Sequence, residues 1–186
     1  LTISKQLAEL MGGRIGVVSE PGKGSSFWFD ILFERVPVTA VKESEIVSKL
    51  EGTRVLIVDD NTTNRSIFSK MLEGLGVRTE SVTSGADVLP ELFRGLLSHD
   101  PYHLVVLDMQ MPGLDGEQTL RMIRQERLTK DVKVIVLTSM GRRSELNYLE
   151  ELGCSGYLLK PVRQSNLKNI LEYALGLRKK TDKRGR

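Results

Sequence analysis

The chain has 186 residues, 40% of them hydrophobic and 27% charged, an ordinary globular composition with room for one full domain and a smaller piece. A single cysteine, Cys154, excludes an intramolecular disulfide and a thiolate metal cluster. That cysteine usage suits a reducing cytoplasm, and because no apolar run approaches the ~18–20 residues that cross a bilayer, no membrane contact is expected of this stretch, with any anchor of a larger parent lying outside it. The net charge of +3 hides an asymmetry, because residues 178–186 alone carry six bases and one acid. This basic tail reads as a solvated end. No base-reading motif or aromatic interleaving accompanies it, so no nucleic-acid partner is expected.

In chain order, LTISKQLAELM has the apolar spacing of an amphipathic helix, and Gly12-Gly13 stops it. RIGVVSE then reads as a strand, PGKGSS as a turn and FWFDILFE as a second strand, so residues 1–36 are expected to form a helix followed by a β-hairpin. Residues 37–52 mix β-branched and charged side chains without a sustained period and read as a linker, with a short helix at 43–50. The turn Gly22-Lys23-Gly24-Ser25 is not a phosphate loop, because Lys23 is followed by Gly and no Gly stands five residues before Gly22.

From residue 53 the pattern becomes regular. TRVLIVD, RTESV, HLVVLD, KVIVLT and SGYLLK are five short strand candidates, with helical patterns at about 62–74, 85–97, 115–128, 142–152 and 163–177. Continuous apolar runs in three of the strands suit burial on both faces. Strict alternation of strand and helix implies parallel strands joined by right-handed crossovers. The expected fold of residues 53–177 is therefore α/β, a doubly wound five-stranded parallel sheet of the flavodoxin-like order, followed by the tail at 178–186.

In such a sheet, chemistry collects where the strands end. Asp59-Asp60 stand at the end of the first strand, Asp108 at the end of the third, Thr138-Ser139 at the fourth and Lys160-Pro161 at the fifth. Three carboxylates brought together repel one another unless a counterion sits among them. Mg2+ prefers oxygen ligands of this kind, with Mn2+ as the substitute. One carboxylate could also serve as a nucleophile and form an aspartyl phosphate, with cation, ammonium and hydroxyl around the transferred oxygens. The bland alternatives are helix caps at Asp59-Asp60-Asn61 and Thr138-Ser139, a surface lysine at 160 and a core aromatic at Tyr157. Asp115-Gly116 reads as a turn and helix start, His99 and His103 as solvated loop residues, and Met109 and Met111 as loop packing. Cys154 reads as a small buried side chain.

VLIVDDN, VVLDMQMPGLDG, VLTS and GYLLKP together resemble the response-regulator receiver family over about residues 53–177. The resemblance implies that Asp108 is the phosphoacceptor. Asp60, Asp108 and the backbone carbonyl of Gln110 are then direct cation ligands, and Asp59 acts mainly through a water. Thr138 and Lys160 hold the phosphoryl group, Tyr157 is the switch aromatic, and Lys160-Pro161 is a cis peptide bond. Gln110 and Met140 are expected to tune the lifetime of the phosphorylated form. Residues 1–36 resemble the carboxyl-terminal end of a histidine-kinase ATP-binding domain, so the pair has the layout of a hybrid sensor kinase. Thirty-six residues cannot stand as that domain. The family's metal motif, glycine boxes and phosphorylatable histidine are not in this sequence, so neither ATP binding nor kinase activity is expected of it. The implied partners are a phosphohistidine donor in the parent kinase and a histidine phosphotransfer protein. The rival readings are a receiver-like interaction module that works without phosphorylation, and an aspartate-nucleophile phosphatase. The second is disfavoured because Gln110 stands where the acid/base carboxylate would be needed.

Overall fold

The computed structural model describes residues 2–33, 50–139 and 143–177. The expected helix at 43–50 lies almost wholly outside these residues, as do most of the linker, the tail and Met140. The chain divides into two compact units, residues 1–41 and 42–186.

In the first unit α1 (Thr2–Leu10) leads into β1 (Arg14–Glu20) and β2 (Gly24–Asp30), an antiparallel pair. The helix stops as its glycines require. Gly12 sits at φ 72°, and the N–H groups of Gly12 and Gly13 donate to the carbonyls of Glu9 and Ala8 at 3.0 and 2.9 Å, the two bonds of a Schellman end. The second strand begins earlier than expected. Gly24, Ser25 and Ser26, read from sequence as turn, pair with Glu20, Ser19 and Val18, while Ile31 to Phe33 lie beyond the ladder. The physical reason is a tight loop: Lys23 N–H donates back to Glu20 at 3.0 Å, so pairing runs to its edge. The ladder closes at the other end on Arg14, whose guanidinium meets Asp30 at 2.8 Å. Val17, Phe27, Trp28 and Phe29 are all exposed on this hairpin.

The second unit holds β3 (Arg54–Val58), α2 (Thr62–Glu73), β4 (Arg78–Val82), a 3-10 turn at Gly85–Asp87, α3 (Val88–Leu97) and β5 (Leu104–Asp108). It continues with α4 (Gly116–Gln125), β6 (Lys133–Thr138), α5 (Arg143–Glu151), β7 (Gly156–Leu159) and α6 (Gln164–Ala174). All neighbouring strands are parallel, in the order β4-β3-β5-β6-β7. This is the doubly wound arrangement expected from the alternation of elements. Every residue of β3 and β5 is buried, which explains why those strands lack polar alternation. Val55, Ile57, Leu104 and Val106 pack on one face with Phe68, Leu72, Leu167 and Leu171. Leu56, Val58, Val105 and Leu107 pack on the other with Val88, Leu92, Leu120 and Ile123.

Two helices end sooner than their periodicity suggests. α4 stops at Gln125 rather than 128, with Glu126 already extended at φ −79°, ψ 120°. There the hydroxyl of Thr129 donates to the carbonyl of Ile123 at 3.1 Å, and Arg124 folds away from the helix. Its Nε donates to the Gly153 carbonyl at 2.9 Å, and its Nη1 donates to those of Lys130 and Val132 at 2.9 and 3.0 Å. α6 stops at Ala174 rather than 177 because Gly176 turns left-handed at φ 72°. Arg124 thus joins three loop carbonyls, and its burial pulls the guanidinium below its ordinary pKa. Arg124→Ala is expected to cost about 1.5–3 kcal/mol, the scale of hydrogen bonds to a charged donor, read as a lower urea midpoint with an unchanged slope.

Polar residues also close the sheet at the end where β3 begins. Arg54 is buried, stacks over Tyr102 at 4.1 Å and donates to its hydroxyl at 3.0 Å. The Tyr102 hydroxyl in turn donates to Glu91. Burial, reinforced by Glu91, pushes the phenol well above its ordinary range. Arg78 grips Asp100 through bonds of 2.8 and 2.9 Å and holds its carboxyl below the ordinary 3.8. Asp100 therefore stabilises the fold above that pH, and its contribution fades as pH falls through the lowered folded value. His103, read from sequence as merely solvated, is exposed but accepts the Arg54 N–H on Nδ1 at 3.0 Å. A histidine directly before a strand can close an edge bond in this way, which loop composition does not reveal.

Candidate functional site

At the opposite end of the sheet, the strands deliver Asp59, Asp108, Thr138 and Lys160 to one rim. Asp59 follows β3 directly and is fully buried. Asp60, the next residue, is exposed. The helix-cap alternative for Asp59-Asp60-Asn61 holds at Asn61 alone and leaves the two acids free of that role. The N-cap of α2 is Asn61, whose side chain accepts from the backbone N–H groups of Thr63 and Asn64 at 2.9 and 3.3 Å. The described part of α5 begins at Arg143, so the cap reading of Thr138-Ser139 falls on residues 140–142, outside the described ones.

Asp108 ends β5 and is buried. Its Oδ2 lies 2.8 Å from Lys160 Nζ, and its Oδ1 accepts the Gln110 N–H at 3.2 Å. Lys160 is also 3.8 Å from Asp59 Oδ2, so one ammonium faces two carboxylates. Lys160-Pro161 is cis, as the resemblance implied. Thr138 closes β6 as a buried residue opposite Leu159 in the β6–β7 ladder. Tyr157 is half-buried in β7 and packs against the core on the α3–α5 side, so the core-aromatic reading holds for part of its surface. Met111 is buried and Met109 partly so on the same side. Cys154 is partly buried, which pushes its thiol pKa up.

The loop after β5 keeps its shape through a glycine. A Cβ on Gly116 would stand 2.4 Å from the Asp108 carbonyl and 2.6 Å from Met109 Cα. Only glycine lets α4 begin that close to the acidic residue. Asp115 then caps α4, exchanging bonds with Gln118 in a capping box, which bears out the helix start read at Asp115-Gly116.

Carboxylate oxygens of Asp59, Asp60 and Asp108 lie within 4.8 Å of one another. Burial raises the pKa of Asp59, with the Asp108 charge adding to it, while the Asn61 N–H, Asn64 and Lys160 oppose the rise. With the three acids ionised and Lys160 the nearest cation, two negative charges remain uncompensated at the rim. The donor set suits a hard divalent cation: oxygens only, on two buried carboxylates and an exposed one.

Sequence reasoning missed Asn64 and Arg65. Asn64 Nδ2 donates to both oxygens of Asp59 at 3.2 and 3.1 Å. Arg65 Nη1 donates to the carbonyls of Asp59 and Asp60 at 2.7 and 2.9 Å. The available signal was the cap at Asn61, which puts residues 64 and 65 on the first turn of α2, beside the strand end. Polar residues on a helix surface are too common for that signal to stand out alone.

This geometry defines the class of the protein. The response regulator receiver domain profile matches residues 55–172, and the chain belongs to that family, the receivers of two-component signalling. It is 34% identical over 130 residues to a probable chemotaxis protein CheY of Rhizobium etli, covering 70% of this chain and 98% of that one. It is also 34% identical over 174 residues to the sensor histidine kinase AruS of Pseudomonas aeruginosa, covering 92% of this chain but only 17% of the kinase. The chain is thus homologous to the receivers of hybrid sensor kinases while spanning a minor part of their length. Among solved structures it is similar to the receiver domain of the Pseudomonas aeruginosa sensor histidine kinase PA1611, which holds a magnesium ion in its active-site cleft. That likeness has a TM-score of 0.59 at 29% identity, over 67% of this chain and 98% of that one. Receivers bind Mg2+ at an acidic site, and those of hybrid kinases take phosphoryl groups from histidine phosphotransfer domains. Among the described residues no helix is long and apolar enough to cross a membrane.

Proposed function

We propose that residues 53–177 accept a phosphoryl group on Asp108 and that residues 1–36 are the carboxyl-terminal end of a histidine-kinase catalytic domain. The whole is then part of a hybrid sensor kinase, joined by a linker at 37–52 and trailing a basic tail at 178–186. The observation that carries the first claim is the Lys160 ammonium 2.8 Å from the buried Asp108 carboxylate, with Asp59 and Asp60 beside it. Asp60, Asp108 and the Gln110 carbonyl would hold Mg2+ or Mn2+ directly, and Asp59 would reach it through water. The cation supplies charge neutralisation for incoming phosphoryl oxygens.

Asp108 attacks phosphorus in line, its Oδ–P bond forms, and the donor's nitrogen–phosphorus bond breaks. The proton that the imidazole needs comes from solvent. Lys160 shifts its contact from carboxylate to phosphoryl oxygen, and the Thr138 hydroxyl donates to another. Tyr157 then settles into the space that Thr138 leaves, so α5, β7 and α6 present a changed face. The phosphoryl group drives this only by binding one arrangement better than the other. The groove lined by Asn64, Ile67, Phe68, Lys160, Pro161 and Val162 lies beside the site, and its half-apolar wall suits docking of the histidine donor or a histidine phosphotransfer protein.

For the first unit, the support is the exposed face of Val17, Phe27 and Phe29, with Trp28 exposed on the opposite one, apolar surface that docking in a longer protein would cover. The alignment with AruS also extends over 92% of this chain, well beyond the receiver. The test of the receiver reading is incubation with acetyl phosphate and Mg2+, followed by intact-mass spectrometry. One added phosphoryl group, removable by hydroxylamine as an acyl phosphate is, is the expected result. A chain that stays at its starting mass counts against the proposal and favours an interaction module that works unphosphorylated.

A further inference from the structure

We propose that Arg65 is a positioning residue for the cation site, acting through the backbone of the acidic turn and not by touching the cation. This inference rests on the reading of Asp59, Asp60 and Asp108 as the cation ligands. The β3 ladder ends at Val58, and among the described residues the strand-like bond beyond it is a long one, Asp59 N–H to Val82 at 3.4 Å. The carbonyls of Asp59 and Asp60 therefore lie past the reach of the sheet. One nitrogen of Arg65 takes both, at 2.7 and 2.9 Å, and the other donates to the Thr62 hydroxyl at 3.0 Å. The guanidinium thus reaches back over the first turn of its own helix and ties the turn between β3 and α2 at three points.

The consequence differs for the two acids. The Asp59 carboxylate is held independently, by the Asn61 N–H at 2.8 Å and by Asn64. The exposed Asp60 carboxylate makes no hydrogen bond or ion pair among the described residues. Its place is set by its main chain alone, and Arg65 fixes that main chain. A planar fork with several fixed donors suits the task better than an ammonium, which holds its acceptors without angular preference.

The sign of the effect separates this role from a plain charge effect. An arginine near a cation site repels the cation, so removing it should tighten binding if charge alone mattered. Loss of positioning should loosen binding instead. Outer groups that orient metal ligands typically change affinity by about 10–100-fold.

The experiment measures Mn2+ binding to the full chain at neutral pH from the loss of the free-ion electron paramagnetic resonance signal, with Mg2+ as competitor. Arg65→Gln is expected to weaken Mn2+ binding roughly tenfold while circular dichroism shows the fold kept. Lys70→Gln removes the same charge from an exposed position on the same helix and is expected to bind as tightly as the parent or slightly tighter. Arg65→Lys keeps the charge without the fork and should fall between parent and Arg65→Gln. Unchanged or tighter binding by folded Arg65→Gln overturns the proposal. Should Arg65→Gln not fold, Arg65→Lys decides: parental affinity overturns the role and weakened affinity supports it. A parent chain that binds neither ion removes the cation site itself, and this inference with it. That outcome is distinct from a parent that binds and an Arg65→Gln that binds equally well.

Discussion

Asp108→Asn is expected to take up no phosphoryl group from acetyl phosphate and Mg2+, whereas the parent takes up one. The two side chains have nearly the same shape, so the fold and the bond from the Gln110 N–H to the side-chain oxygen at 3.2 Å can persist. What the amide lacks is the nucleophile: its oxygen carries no full charge and cannot form a stable acyl phosphate. The loss should therefore be complete, not graded, and a chelator should reproduce it in the parent by removing the neutralising charge. Intact-mass spectrometry before and after hydroxylamine reads both effects. A hydroxylamine-sensitive mass gain that survives in Asp108→Asn would move the acceptor to another carboxylate.

Asp59→Asn is expected to make the cation-free protein more stable. The folded pKa of Asp59 lies above its unfolded value, chiefly through burial and then through Asp108. A carboxyl shifted in that direction prefers its neutral form when folded, so its ionisation opposes folding. The penalty grows as pH climbs from the ordinary 3.8 through the raised folded value and stands in full above it. An uncharged amide relieves it, by about 0.5–2 kcal/mol, the range that single stabilising changes reach. For a chain of this size that is roughly 2–4 °C in Tm per kcal/mol. Added Mg2+ should reverse the order. The parent gains stability by binding, about 2.7 kcal/mol at a hundred times Kd, and the variant gains less. Thermal denaturation with and without Mg2+ checks both arms. A cation-free Asp59→Asn less stable than the parent would mean that the bonds from Asn61 and Asn64 outweigh burial. The expected order means that the site exchanges stability for function, a common arrangement where like charges must converge.

Much of this was legible in the residues because buried parallel strands write themselves as unbroken apolar runs. VLIV, LVVL and VIVL placed β3, β5 and β6, and the polar residue closing each run marked the rim. The five helices were visible in outline, but their ends depended on single bonds. A Thr129 hydroxyl shortened α4 and a left-handed Gly176 shortened α6. In the hairpin, the tight closure at Lys23 carried β2 back to Gly24. Local pattern reports periodicity, and periodicity does not see such caps.

By itself, the sequence determined the alternation of elements, the parallel order it implies and the residue types at the strand ends. These follow from apolar spacing and from the steric rule that crossovers are right-handed. Only the tertiary structure decided which side chains hold the others. It showed that Lys160 faces Asp108 and Asp59 together, that burial separates Asp59 from its exposed neighbour, and that Asn64 and Arg65 brace the acidic turn. Those contacts join segments up to about a hundred residues apart. They depend on distance and desolvation, which chain order does not encode.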